Sequence, residues 1–162
     1  MPKYVIDTSA LINGKEIYPP ENFGPLWDKL HDMNIEGKLI ILNKVKDELK
    51  KGEDFLSSTF LKNKKFTDDE DSETIYYLQY IMKNLPKENL VGFQNWLKSA
   101  DPFLIAYTLR ISKLSGERVI LLHGEVERGK KMRIPYVCKH FKIECGRMQK
   151  LIIEESIKFK VL

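Results

Sequence analysis

The chain has 162 residues, of which 43% are hydrophobic and 31% are charged, as is typical of one globular domain with its own core. No apolar run is long enough to span a bilayer, and the N-terminus lacks a signal-peptide pattern, so no membrane association is expected. Cys138 and Cys145 are the only cysteines. Two cysteines without an export signal favour reduced thiols in a cytoplasmic protein.

The charge is unevenly distributed along the chain. The net charge is +4, but residues 110–162 hold 13 lysines and arginines against 6 acidic residues, whereas the remainder holds 14 against 17. A basic C-terminal third suggests a polyanionic partner such as nucleic acid. A lysine-rich solvated surface is a common alternative.

The first elements alternate between short apolar strands and helices. Tyr4–Ile6 is predicted to be a buried strand, followed by a short helix or turn that ends at Gly14. Helical spacing from Pro25 ends at Gly37. A second strand covers Leu39–Leu42, and Asn43 is predicted to cap the helix after it.

The rest of the chain continues this alternation after a mostly helical section at 54–98, where an acidic run at 68–71 precedes a helix. A helix is predicted from Asp101 to Gly116, then a strand over Arg118–Leu122, a polar loop, and a helix reaching Phe141. A last strand near residue 143 and a helix over 148–157 complete the order. This alternation predicts one α/β domain over residues 1–162, with a parallel sheet covered on both faces.

Three acidic residues lie near the ends of these elements: Asp7 ends the first strand, Glu48 follows the second strand, and Asp101 begins the helix before the third. All three can face the same end of a parallel sheet, where ligands of such folds bind. Carboxylates gathered there favour Mg²⁺ or Mn²⁺ and metal-assisted phosphodiester hydrolysis. Taken singly, Asp7 and Asp101 could equally be helix caps, and Glu48 could pair with a neighbouring lysine.

Three segments resemble, in order, the leading motifs of PIN domains, which are metal-dependent ribonucleases of toxin–antitoxin systems and RNA processing. The segments are Val5–Ile12, Val45–Leu49 and Ala100–Ala106, and Arg133–Phe141 with Tyr18-Pro19-Pro20 resembles a less characterised bacterial subfamily.

This resemblance implies a three-layer α/β/α sandwich with a Rossmann-like topology. It also implies that Asp7, Glu48 and Asp101 bind Mg²⁺ or Mn²⁺, and that Thr8 or Ser9 orients a ligand or a metal-bound water. The expected substrate is single-stranded RNA, and the expected partners are a second copy in a homodimer and, for a toxin, a protein antitoxin.

The fourth PIN motif is where this sequence departs. The family usually has a hydroxyl residue after the strand and then one or two acidic residues, whereas here Leu122 and Gly124 occupy such places. Glu125 is the candidate fourth ligand, with Glu127 second. His123 is a candidate contact for phosphate, although a loop histidine is more often merely exposed.

A basic loop follows this motif. Its residues Arg128, Lys130, Lys131 and Arg133 could hold a phosphate backbone, or could simply be solvated. A zinc site at Cys138, His140 and Cys145 is disfavoured because the spacing matches no standard knuckle.

The sequence therefore predicts a PIN-like, metal-dependent ribonuclease that acts either as a toxin or in RNA processing. Two alternatives stay open. The weak fourth motif would fit a catalytically silent module that binds RNA or protein. A flap-type DNA nuclease would use acidic metal ligands in the same way.

Overall fold

Four parallel strands form the centre of the protein. The computed structural model describes residues 1–52, 62, 64–85, 90–125 and 134–159. In these ranges the strands are β1 (Lys3–Ile6), β2 (Leu39–Ile40), β3 (Val119–Leu122) and β4 (Cys145–Gly146), in the order β2-β1-β3-β4. All three pairings are parallel. The predicted α/β class with a central parallel sheet is confirmed.

Helices flank this sheet in two groups. The described helices are α1 (Thr8–Ile17), α2 (Gly24–Ile35), α3 (Asn43–Leu49), α4 (Ser72–Asn84), α5 (Leu90–Leu97), α6 (Asp101–Ser115), α7 (Ile134–Phe141) and α8 (Met148–Glu154). Helix α1 packs against α3 and α8, whereas α6 packs against α4, α5 and α7. Within the described ranges, no helix has the length and apolar character needed to cross a bilayer.

The two central strands fix the functional edge of the sheet. Strands β1 and β3 are continuous apolar runs whose residues from Tyr4 to Ile6 and from Val119 to Leu122 are all buried. Their register pairs Ile6 with Leu122, so both strands end at the same level. The Asp7 N–H donates to the Leu122 carbonyl at 2.9 Å. The residues that follow each strand are thereby brought together.

Several predicted element boundaries differ from the observed ones, among them the end of the second strand, which lies at Ile40 rather than at Leu42. Helix α1 continues through Gly14 to Ile17, because this glycine serves close packing: a Cβ there would lie 2.9 Å from Met148 Cε. The last strand begins at Cys145 rather than near residue 143, since Lys142 turns the chain with φ 57°. Helix α8 ends at Glu154 rather than at 157, where a turn follows.

The predicted helical section at 54–98 is helical only in part. Residues 64–71 are not helical, and Thr67 forms a parallel bridge with Leu42 beyond the end of β2. The side-chain amide of Asn34 holds this segment through two hydrogen bonds with the Lys65 backbone, of 2.7 and 3.0 Å. The apolar stripe predicted around residues 55–61 lies outside the described residues.

Candidate metal centre

Asp7 caps a helix and also reaches the candidate site. It is the N-cap of α1, and its Oδ2 accepts a hydrogen bond from the Ser9 N–H at 3.3 Å. The Ser9 hydroxyl donates to the same oxygen. Asp7 is only 4% exposed, so two donors from one turn hold a buried carboxylate in place. Both sequence interpretations of Asp7, cap and site residue, fit its position.

Asp101 is not a helix cap. It is the first residue of α6, whose N-cap is Ala100, and no side chain makes a capping bond there. The Asp101 N–H instead donates to Ser99 Oγ at 3.3 Å. The alternative interpretation of Asp101 as a cap is therefore wrong. From the first turn of α6, the Asp101 carboxylate lies beside those of Asp7 and Glu125.

Glu125 is held by three backbone contacts around the loop after β3. The Gly124 N–H donates to Ser9 Oγ at 2.9 Å, and the Glu125 N–H donates to His123 Nδ1 at 3.1 Å. Glu125 Oε2 accepts from the Ile134 N–H at 2.9 Å. These bonds fix the loop against α1 and fix the carboxylate against α7.

The glycine in this loop explains the departure from the PIN pattern. A Cβ at Gly124 would lie 2.3 Å from the Ser9 carbonyl oxygen and 2.9 Å from Asn13 Cβ. Non-bonded contacts this short essentially never occur for a Cβ atom. An acidic side chain at this position would therefore push the loop off α1, and the site uses Glu125 instead.

These three carboxylates form one cluster. Asp7, Asp101 and Glu125 each offer an oxygen, and these oxygens all lie within 4.8 Å of one another. Carboxylate oxygens are the ligands that hard divalent cations prefer. The donor set could therefore hold a divalent cation, and it brings together three of the four predicted metal ligands.

The electrostatics of the cluster are those of an uncompensated negative site. Burial raises the pKa of Asp7 to about 6 against the hydrogen bonds from Ser9, with further upward contributions from Glu48 and Glu125. Burial, followed by the charges of Asp7, Glu125 and Glu48, raises the pKa of Asp101 to about 8. Shifts of this kind favour protonation or a bound cation, and they are concentrated at functional sites.

Glu48, the fourth predicted ligand, lies beside the cluster rather than in it. Its side chain is exposed on α3, and its Oε1 accepts the Thr8 hydroxyl at 2.7 Å. Its charge still contributes to the raised pKa values of Asp7 and Asp101. Thr8 thus orients Glu48, and Ser9 orients Asp7, so the two predicted hydroxyl residues hold different carboxylates.

Asp69 caps α3, the helix that carries Glu48, and sequence analysis missed it. Asn43 was predicted to cap α3, but it is the first helical residue, and the N-cap Leu42 makes no side-chain bond. The buried Asp69 carboxylate instead accepts from the Lys44 N–H at 2.8 Å. This contact spans 25 residues, so no local sequence pattern could reveal it.

His123 is buried, with 5% of its surface exposed, rather than open to solvent. The backbone N–H of His123 donates to the Gly146 carbonyl at 2.9 Å, and the ring nitrogen Nδ1 accepts from the Glu125 N–H. A hydrogen bond with Cys138 lowers the pKa of the Cys145 thiol to about 5. Burial opposes this shift, and a weaker hydrogen bond with His123 adds to it. His140 contacts the Asn84 carbonyl instead, so these residues do not form the disfavoured zinc set.

The structure does not describe the predicted basic loop. Arg128, Lys130, Lys131, Arg133 and the second candidate acid, Glu127, lie outside the described residues. The phosphate contacts of the four basic residues and the metal ligation by Glu127 stay predictions.

The chain was compared with family models, curated proteins and solved structures. No curated protein and no solved structure gives a significant match. One family model, described as "Domain of unknown function (DUF4411)", matches residues 4–159, which span β1 to the end of the described chain and include every residue of the carboxylate cluster. The chain belongs to the DUF4411 family.

Proposed function

We propose that the protein is a Mg²⁺- or Mn²⁺-dependent ribonuclease of the PIN type. The observation that supports this most strongly is the set of three carboxylate oxygens within 4.8 Å at the carboxyl ends of parallel strands. Glu125 raises the pKa of both aspartates, and Asp7 raises that of Asp101, so the negative charges of the cluster oppose one another although Asp7 also caps α1. Such an arrangement is explained by a cation that the site binds.

The residues of the chain prepare this site before any substrate arrives. Ser9 fixes Asp7, the Ile134 N–H fixes Glu125, and Thr8 fixes Glu48 at the exposed side of the cluster. A bound Mg²⁺ or Mn²⁺ would supply Lewis-acid activation of water and would offset charge on the phosphodiester. Because Glu48 is exposed and outside the triad, we assign it the side from which substrate approaches.

The choice of RNA as substrate rests on the ordered motifs that resemble PIN domains. The position of Glu125 supports an active enzyme over the silent module, because the weak fourth motif was the feature that favoured silence. A protein antitoxin and a homodimer are part of the same proposal. Attack by water at the phosphorus with departure of the 3′ oxygen would break the P–O3′ bond and leave a 5′-phosphate and a 3′-hydroxyl.

The test is cleavage of labelled single-stranded RNA with Mn²⁺, Mg²⁺ or chelator. Wild type should cleave only with metal, and Asp7→Asn and Asp101→Asn should each lose at least a hundredfold in rate. Asp28→Asn, on the exposed side of α2, is the matched control and should cleave like wild type. RNA binding without any cleavage would instead support the silent module, and a preference for branched DNA would support a flap-type nuclease.

A further inference from the structure

A groove with charged side chains on both walls adjoins the carboxylate cluster. Its volume is about 240 Å³, and it lies between α3 and the turn from α5 to α6. The lining residues used below are Lys44, Glu48, Lys51, Lys98, Ala100 and Phe103. Positions 44 and 48 are about one turn apart on α3, and Lys51 lies in the turn after this helix, so α3 and the turn that follows it form one wall.

This groove lies next to the candidate metal centre. Glu48 belongs to its wall and lies close enough to the cluster to raise the pKa of both aspartates. Ala100, in the opposite wall, directly precedes Asp101 in the chain. A chain molecule whose reacting group lies at the carboxylates can therefore continue into the groove.

The cations of the groove differ in what they contact. Lys44 Nζ already bonds Glu70 at 2.6 Å and lies 4.6 Å from the centre of the Phe103 ring. Lys51 and Lys98 are exposed on the two walls, and no ion pair within the described residues involves either ammonium group. Asp47 and Glu48 add negative charge to the α3 wall. Lys51 and Lys98 are thus the two cations available to an anionic ligand.

We propose that this groove binds the sugar–phosphate backbone next to the scissile bond, with Lys51 and Lys98 contacting phosphate. The inference rests on the proposed nuclease function and locates its substrate. The groove is smaller than the roughly 300–1,000 Å³ of pockets for drug-sized ligands, which suits one nucleotide unit of a single strand rather than a duplex. Exposed lysines on both walls favour a polyanionic nucleic-acid backbone over an uncharged protein segment.

The experiment measures binding apart from cleavage. A fluorescein-labelled single-stranded 12-mer RNA is titrated with wild type in chelator, and its anisotropy is followed from low to moderate salt. The double variant Lys51→Gln/Lys98→Gln should raise Kd about fivefold or more. Losing two phosphate contacts on a single strand should also reduce the slope of log K against log salt by about 1.4.

Lys29→Gln, an exposed lysine on α2, is the matched control and should leave Kd and slope unchanged. Circular dichroism and Mn²⁺-induced thermal stabilisation show that each variant is folded with an intact metal centre. A double variant that binds RNA like wild type, while wild type cleaves RNA with Mn²⁺, would overturn the groove alone. Wild type that neither binds nor cleaves RNA would overturn both the groove and the nuclease.

Discussion

Replacing Asp101 with Asn should stabilise the metal-free protein while removing its metal response. Burial and the neighbouring negative charges all raise the pKa of Asp101. No hydrogen-bond donor among the described residues offsets them. Asn keeps the size of the side chain and removes its charge. The same substitution that removes a proposed metal ligand should therefore relieve repulsion in the folded state.

The magnitude follows from the spacing of the cluster. Two unit charges at the 4.8 Å limit repel by about 3.5 kcal/mol at an effective dielectric constant of 20, and Asp101 faces both Asp7 and Glu125. Partial protonation and the unmet hydrogen bonds of a buried amide, which cost about 1–3 kcal/mol, reduce this gain. We expect a net increase of about 2–4 kcal/mol in the free energy of unfolding at pH 9, or about 4–16 °C in Tm.

The assay is urea and thermal unfolding at pH 9, in chelator and with Mn²⁺. Wild type should gain stability with Mn²⁺, by about 2.7 kcal/mol at a hundredfold excess over Kd, and Asp101→Asn should gain almost none. Asp28→Asn should match wild type in both conditions. A loss of stability for Asp101→Asn in chelator would refute the reasoning, since Asp101 would then be a structural acceptor rather than a repelled ligand.

Three further predictions follow. Because the folded-state pKa values of Asp7 and Asp101 are raised, the folded protein binds more protons, so metal-free stability should fall as pH rises from about 4 to about 8. Calorimetric or fluorescence melts should show this slope, and Mn²⁺ should flatten it; a rising stability would contradict it. Gly124→Ala should cost about 1–3 kcal/mol in urea melts and weaken Mn²⁺ binding, because its Cβ would meet Ser9, whereas Gly24→Ala, with open space around it, should be nearly neutral. Iodoacetamide should label Cys145 in preference to the buried Cys138, as followed by mass spectrometry, because hydrogen bonds with Cys138 and His123 lower the pKa of the Cys145 thiol; equal labelling of the two thiols would contradict this.

The sequence was sufficient to predict features that depend on local order and on parallel strands. Asp7 follows an apolar run, and Asp101 precedes one by the length of a helix, so both positions could be inferred from periodicity. A parallel sheet then brings strand ends together, as the pairing of Ile6 with Leu122 confirms. The spacing of three motifs therefore carried three-dimensional information without any detail of packing.

Features that depend on contact between distant backbones could not be predicted. Gly124 suggested a missing acid until its distance to Ser9 showed that no side chain fits there. His123 follows a strand and suggested an exposed loop, but pairing with Gly146 of the next strand buries it. The cap that Asp69 gives to α3 likewise has no local signal. In each case the deciding partner is remote in sequence and is known only once the strands are in order.

The contrast between Asp7 and Asp101 shows why local patterns could not decide between a cap and a ligand. Both aspartates stand before or at a helix start, and a capping interpretation was reasonable for each. At Asp7 both bonds from Ser9 end on Oδ2, and a carboxylate has about four lone-pair sites, so capping leaves room for a cation. At Asp101 no capping bond forms, and burial beside Asp7 and Glu125 is unrelieved. A helix-start aspartate is thus assigned by the charges that surround it in the fold, and here those charges are all negative.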